Sequence, residues 1–316
     1  MSEVTSIASD PMAGTDEARG RARRWFARNW GRKTVIGIPY VFLLLFFSLP
    51  FFVVLKISVS ETEGVGFKDL IEFADGALTL RLKLADYQFL GTDPIYLDTY
   101  ISSIRFAAIT TLICLFIGYP FAYFMSRAQA TLRPVLVMLV SLPFWTSYLL
   151  RIYAWKGILD DHGVFNNLLL WLHLINDPIK MMYTPFSMTI GMVYTYLPFM
   201  ILPLYGTLVK ADPSLLEAAG DLGATPWKGF WLITVPLSKA GIIAGSMLVF
   251  IPTVGEYVIP ELLGGPQTLM IARVLWDEFF NNVDWPMASA VAVSMVGLIL
   301  LPLVVFNHYQ RDMRVR

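Results

Sequence analysis

Six stretches of the 316-residue chain stay apolar for longer than a soluble fold can use, at about 35–58, 100–126, 134–153, 186–208, 240–259 and 287–306. A helix needs roughly 18 or more apolar residues to cross the hydrocarbon of a bilayer. A soluble helix of that length keeps one face polar, because one face meets water. The pattern therefore predicts an all-α integral membrane protein with six transmembrane helices. Between the fourth and fifth stretches lies a polar interruption, "EAAGDLGATPWKGFWLITVP", running from Glu217 to Pro236.

Composition agrees with that pattern: 56% of residues are hydrophobic and 15% charged, against about a quarter charged in an ordinary soluble domain. Twenty-four basic residues balance twenty-four acidic ones, so no overall field points to nucleic acid. Cys114 is the only cysteine and reads as a small packing residue. His162, His173 and His308 have no metal-ligand spacing, so no metal site is expected. The first apolar run, "VIGIPYVFLLLFFSLPFFVVL", follows a polar tail. It also exceeds a signal-peptide core of about 7–15 residues, so it is expected to stay as a helix.

Lysine and arginine placement predicts the orientation. The N-terminal tail carries Arg19, Arg21, Arg23, Arg24, Arg28, Arg32 and Lys33, and the C-terminal tail Arg311, Arg314 and Arg316. Arg127 and Arg133 follow the second stretch, and Lys210 and Lys228 the fourth. The loop after the first stretch is mostly acidic, with Glu61, Glu63, Asp69, Glu72, Asp75, Asp86, Asp93 and Asp98. Both termini and the Glu217–Pro236 segment are thus expected in the cytoplasm. The expected divisions are a basic tail over 1–34, disordered at least over 1–20, a transmembrane domain over 35–306, and a tail over 307–316. Residues 21–33, with Trp25, Phe26 and Trp30, read either as a short interfacial helix or as an ordinary basic flank. In the 59–99 loop "ALTLRLKLADYQFL" alternates like a strand, and "GVFNNLLLWLHLI" is amphipathic but too short to span.

The connection at 209–238 has an internal grammar. Asp212-Pro213 reads as a cap followed by proline at the helix start. A short helix follows, with Leu215, Leu216, Ala219 and Leu222 as an apolar stripe and Glu217 and Asp221 on another face. Gly223 suits the left-handed residue that ends it. Thr225-Pro226 starts a second helix, which Pro236 is expected to close.

Glu217-Ala218-Ala219, Gly223, Ile233 and Pro236 match the "EAA" signature of the permease subunits of bacterial ATP-binding-cassette importers, with Val235 where leucine is usual. After residue 35 the chain resembles the polyamine branch, through "LPFWTSYLLRIYAW", "YLPFMILPLY", "GSMLVFIPTVGEYVIPELLGG" and "ARVLWDEFFNNVDWPMASA". Within that branch it is most similar to the first permease of putrescine importers, then to that of spermidine importers. The resemblance implies a type I importer permease fold in the bacterial inner membrane. It implies three kinds of partner: a second related permease, a homodimeric ATP-binding subunit and a periplasmic polyamine-binding protein. By it, Glu217, Ala218, Ala219, Asp221, Gly223, Ala224 and Pro236 belong to the helix through which the ATPase drives the permease. No phosphate-cradling G-x-x-x-x-G-K-[ST] occurs in the chain. ATP and Mg are therefore expected on the partner ATPase, with no cofactor on this chain and no enzymatic activity of its own.

For a multiply charged, methylene-spaced cation, carboxylates and aromatic faces are the apt side chains. The path candidates are Glu256, Tyr257, Glu261, Trp145, Tyr148, Tyr153, Tyr194 and Asp277, and Tyr196 lies in the same span as Tyr194. Arg105 and Arg151 repel such a cargo and are expected in structural pairs. The alternatives are import of another small solute and, more distantly, a secondary transporter or channel, for which the ionisable residues are too isolated. A membrane enzyme is the weakest class, because no catalytic constellation converges.

Overall fold

In the computed structural model, residues 33–63, 66–67, 71–74, 77–80 and 82–315 are described, with side chains over 33–61, 82–300 and at 304. The basic tail from Arg19 to Arg32, with Trp25, Phe26 and Trp30, lies outside the described residues, as does Arg316. The chain divides into two units, Met1–Lys56 and Ile57–Arg316. In the first, helix α1 (Lys33–Ile57) runs to the unit boundary and is long and apolar enough to cross a membrane. It carries a π turn at Leu44–Ser48, just ahead of Pro50. That proline has no N–H to give the preceding turn, and the wider turn absorbs the mismatch.

The second unit opens with two short antiparallel pairs, β1 (Thr62–Glu63) with β2 (Gly66–Phe67) and β3 (Ile71–Ala74) with β4 (Ala77–Leu80). The alternating run is thus a strand only over its first part, since α2 (Ala85–Thr92) takes up its end. The helices that follow are α3 (Pro94–Arg127), α4 (Arg133–Ser141), α5 (Tyr148–Leu159), α6 (Val164–Trp171) and α7 (Pro185–Leu208). After them come α8 (Ser214–Asp221), α9 (Pro226–Leu237), α10 (Lys239–Val254), α11 (Val258–Leu263), α12 (Ile271–Trp276) and α13 (Trp285–Val315).

The centre of this unit is the mutual packing of α3, α7 and α10. Helices α3 and α7 each start at a proline prepared by a cap. Asp93 accepts from the Ile95 N–H at 2.8 Å ahead of Pro94. Thr184 and Ser187 form a reciprocal capping box around Pro185. The core between them is filled by methionines, among them Met125, Met188, Met192 and Met200, all fully buried. Flexible thioethers fill the irregular space beside the prolines Pro198 and Pro203 within α7.

Close approach of α10 to α7 depends on Gly241 and Gly245, one turn apart on the face that meets Met200, Pro203 and Thr207. A Cβ on Gly241 would lie 2.9 Å from the Pro203 carbonyl oxygen, and one on Gly245 3.1 Å from that of Met200. This is the small-xxx-small packing by which membrane helices gain van der Waals contact without a hydrophobic driving force.

Two of the apolar stretches are not single straight helices. The segment read as one span over 134–153 breaks at Thr146-Ser147, and its two parts, Arg133–Trp145 and Tyr148–Trp171, meet at 89°. Pro143 and the 3-10 turn Leu142–Trp145 end the first part. The stretch at 240–259 likewise divides, α10 ending at Val254 and α11 beginning at Val258. Among the described residues three helices meet the length and apolarity of a span, five if each bent pair counts once. A further apolar stretch, Trp285–Leu300, opens α13.

The glycine contact gives a direct test. Gly245→Leu drives a side chain into the α7 backbone and is expected to destabilise the permease by about 1–3 kcal/mol or more. Gly206→Ala, where an added Cβ meets nothing within 4 Å, serves as the control and is expected to be neutral or slightly stabilising. Thermal unfolding of the two purified variants in detergent measures the difference.

Candidate functional site

The polar interruption folds into a helical hairpin at one end of the bundle. Asp212 accepts from the Ser214 N–H at 3.0 Å, and this bond holds its carboxyl below the usual carboxylate range. Helix α8 follows. Gly223 takes φ +83°, so the Ala224 N–H reaches back to the Ala219 carbonyl at 2.9 Å, the closure of a left-handed C-cap. Thr225 then caps α9 by accepting from Lys228 N. Pro236 does not close that helix, which continues to Leu237. A π turn at Phe230–Thr234 lets the Val235 N–H bond to the Phe230 carbonyl, so the helix tolerates the proline beside it. The bend falls at Ser238, where α9 and α10 meet at 64°.

The expected apolar stripe of α8 divides into an inner and an outer part. Leu216 and Ala219 are half-buried, Leu216 against Gly229 of α9, while Leu215 and Leu222 face outward. Leu222 is 89% exposed, and Glu217, Ala218, Asp221, Gly223 and Pro236 are exposed with it, Ala224 less so. The hairpin is nonetheless fixed to the bundle. Phe230 packs edge-on against Tyr119 and Tyr123 of α3 with ring centroids 5.5 and 5.8 Å away. The Tyr119 and Ser238 hydroxyls lie 2.8 Å apart. Neither Phe230 nor Tyr119 belongs to the EAA signature, and no spacing in the sequence joins residue 230 to residues 119 and 123.

The other constellation centres on Glu256, at the break between α10 and α11 and 8% exposed. Its Oε1 accepts from the Tyr148 hydroxyl at 2.8 Å and from the Val258 N–H at 3.0 Å. The Ile259 N–H approaches the same oxygen at 3.4 Å, and Oε2 accepts from the Tyr196 hydroxyl. The carboxylate thus caps α11 and ties it to α7 and to the first residue of α5. Most of its acceptor capacity is used within the chain in this conformation. Tyr196, rather than Tyr194, is the partner on α7. Tyr194 turns toward Trp155, with centroids 5.5 Å apart. The two tyrosines lie nearly opposite on the helix, and sequence does not say which side faces Glu256.

The remaining candidates separate. Trp145 (88% exposed) and Tyr153 (54%) project outward from the broken helix. Tyr257, Glu261 and Asp277 gather at the end of the bundle opposite the hairpin. There Tyr257 stacks on Trp276 at 4.7 Å, Glu261 pairs with Arg273 at 2.9 Å, and Asp277 accepts from Asn281 at 2.7 Å. Glu261, Asp277, Arg273 and Tyr183 line an open groove of about 500 Å³. The expectation that Arg105 and Arg151 are in ion pairs is not met among the described residues. Arg105 is exposed. Arg151 lies over the Tyr148 ring at 5.7 Å, one helical turn along α5, where a ring face rather than a carboxylate meets it.

Residues 111–315 match the family model described as "Binding-protein-dependent transport system inner membrane component". The chain belongs to that family. The permease is 38% identical over 271 residues to the spermidine/putrescine transport system permease protein PotB of Escherichia coli (strain K12), covering 85% of this chain and 93% of that one. The PotB of Haemophilus influenzae (strain ATCC 51907 / DSM 11121 / KW20 / Rd) is 37% identical over 281 residues, covering 89% and 94%. In fold, the permease resembles a chain of a bacterial ABC transporter that imports the acidic polysaccharide alginate. The TM-score is 0.66 at 16% identity, over 92% of this chain and 99% of the other. A second structure of an alginate transporter, in complex with a pentasaccharide-bound periplasmic protein, matches with a TM-score of 0.67 at 17% identity, over 92% and 97%. The permease therefore has the type I importer fold and is a multi-pass inner-membrane transport subunit rather than an enzyme.

Phe230→Ala removes both edge-on contacts and is expected to loosen the hairpin from α3 by about 1–3 kcal/mol, the worth of two such aromatic pairs. Amide hydrogen exchange should rise across 214–237 while α7 keeps its protection. Equal protection in both forms would show that the hairpin is held by other contacts.

Proposed function

We propose that this permease passes a polyamine, putrescine first and spermidine next, into the cell, driven by a separate ATPase that docks on the hairpin at 214–237. The geometry of the hairpin carries the coupling half of this reading. It presents an outward surface of Leu215, Glu217, Ala218, Asp221 and Leu222, yet Phe230 and Ser238 join it to α3, so a push on it is passed to the core helices. Polyamine as the cargo rests on the names of relatives that align along most of their length, and on the EAA and polyamine-branch motifs of the sequence.

In this reading ATP and Mg stay on a homodimeric ATPase, and this chain holds no cofactor. A second, related permease completes the pathway, and a periplasmic polyamine-binding protein delivers the cargo. Both termini and the hairpin face the cytoplasm, as the arginine distribution favours. The transmembrane domain spans 35–306 between cytoplasmic tails. The groove beside Glu261 and Asp277, with the Tyr257–Trp276 stack at its rim, is then the outer entrance. The Glu256 cluster lies deeper, and Trp145 and Tyr153 project toward the second permease or the path.

Glu217→Ala and Gly223→Asp test the docking. Both are expected to reduce co-purification of the ATPase and its stimulation by the loaded binding protein. Gly223→Asp should do so more strongly, because its φ of +83° is strained for a side chain. Undiminished assembly and coupling in both variants would remove the hairpin from the docking surface. Labelled putrescine uptake by the whole importer, competed by spermidine and by amino acids, tests the cargo. Spermidine is expected to compete and amino acids are not.

A further inference from the structure

The Arg151 guanidinium carries two buried donors that the fold leaves unpaired among the described residues. Its Nε and Nη1 are buried, and no protein acceptor lies within hydrogen-bond distance of either. This chain itself encloses both atoms, so a neighbouring subunit reaches them only if Arg151 moves. Enclosing two donors of a half-buried guanidinium without acceptors is costly, and in a membrane protein such a group marks a functional position. What Arg151 does contact is the ring of Tyr148, 5.7 Å from its guanidinium carbon. The hydroxyl of that same ring donates to Glu256 Oε1 at 2.8 Å. A cation therefore lies over the face of this phenol and a carboxylate at its hydroxyl.

We propose that Tyr148 gates an exchange of partners on Glu256: when its hydroxyl leaves Oε1, the carboxylate takes an ammonium group of the cargo, and Arg151 then displaces that ammonium and releases it. This rests on the reading of the cargo as an organic polycation. A buried carboxylate alone would hold such a cation too firmly for rapid passage. A resident guanidinium that competes for the same oxygen returns the carboxylate to a paired state without leaving a bare charge in the membrane interior. Tyr148 suits the gate by position. It is the first residue of α5, directly after the break at Thr146-Ser147 where the two parts of the segment meet at 89°. A change of that angle carries its hydroxyl away from Glu256. Tyr196 and the α11 N–H groups continue to hold the carboxylate in place.

The test uses the whole importer in proteoliposomes, with its ATPase, second permease and binding protein. Two readouts are followed: labelled putrescine uptake, and ATP hydrolysis stimulated by the binding protein purified with its native load. Arg151→Gln is expected to lower maximal uptake about tenfold while lowering the half-saturating putrescine concentration, because release is slowed and binding is not. Arg151→Lys should keep most of the rate. In a Glu256→Gln background the further change to Arg151→Gln should have no added effect, since the two groups act on one another. Tyr148→Phe keeps the ring and removes only the bond to Oε1. It should raise half-saturation several-fold by letting Arg151 compete from the start. Independent, additive effects of the Arg151 and Glu256 changes would overturn the exchange, as would unchanged half-saturation in Tyr148→Phe. If the cargo is not a polyamine, wild-type putrescine uptake is absent in the first place. The coupling between Arg151 and Glu256 is then still read in stimulated ATP hydrolysis, where additivity would overturn it in the same way.

Discussion

A chain that crosses hydrocarbon must satisfy every backbone polar group internally, so each break in a spanning helix needs a local answer. The permease meets this constraint with side chains placed at the breaks. Glu256 accepts from the first N–H groups of α11 where α10 has ended, and it reaches across to Tyr148, which starts α5 after the other sharp break. Thr146 N bonds to the Pro143 carbonyl and closes the turn before that break. Ser187 bonds to the Leu263 carbonyl at 2.7 Å and so satisfies the end of α11. Without these bonds the irregular segments would carry orphaned groups, each costing several kcal/mol in hydrocarbon. The irregular geometry in turn lets Tyr148 and Tyr196 converge on Glu256 inside the bundle.

Around these breaks the core helices are closely packed. Gly241 and Gly245 bring α10 onto α7, and Gly118 of α3 packs against Met200 and Ile201. The hairpin continues directly from both sides of this core, from α7 into α8 and from α9 into α10, with Phe230 fixed between Tyr119 and Tyr123. A force applied at Leu222 or Glu217 is therefore delivered to packed helices rather than lost in a loose loop. The α10–α11 break lies at the far end of α10, and the 64° bend at Ser238 lies at its hairpin end.

Much of this was legible in the residues. The long apolar runs gave the helical membrane architecture because hydrocarbon thickness sets a minimum length. The corner at Gly223 was legible because a positive φ excludes most side chains, and the caps at Asp212 and Thr225 because short oxygens bond locally to the next backbone N–H groups. The course of the helix through Pro236 was not. A π turn just upstream tolerates the proline, and its first residue, Phe230, packs against Tyr119 and Tyr123 of α3, far away in sequence. The break at Thr146-Ser147 was hidden for a similar reason, since apolar composition sets where a chain can sit in lipid but not whether it runs straight.

Side-chain partnership was beyond the sequence altogether. Glu256, Tyr148 and Arg151 were each conspicuous as polar residues in apolar surroundings, but nothing in their spacing joined residue 256 to residue 148, or chose Tyr196 over Tyr194. Local rules act over three or four residues, and they determined the helices, the caps, the glycine corner and the membrane class of this chain. Contacts between residues sixty or more than a hundred positions apart follow from how helices cross and where they break. Those contacts decided which acid is enclosed, which tyrosines bond to it, and which surface of the hairpin is free.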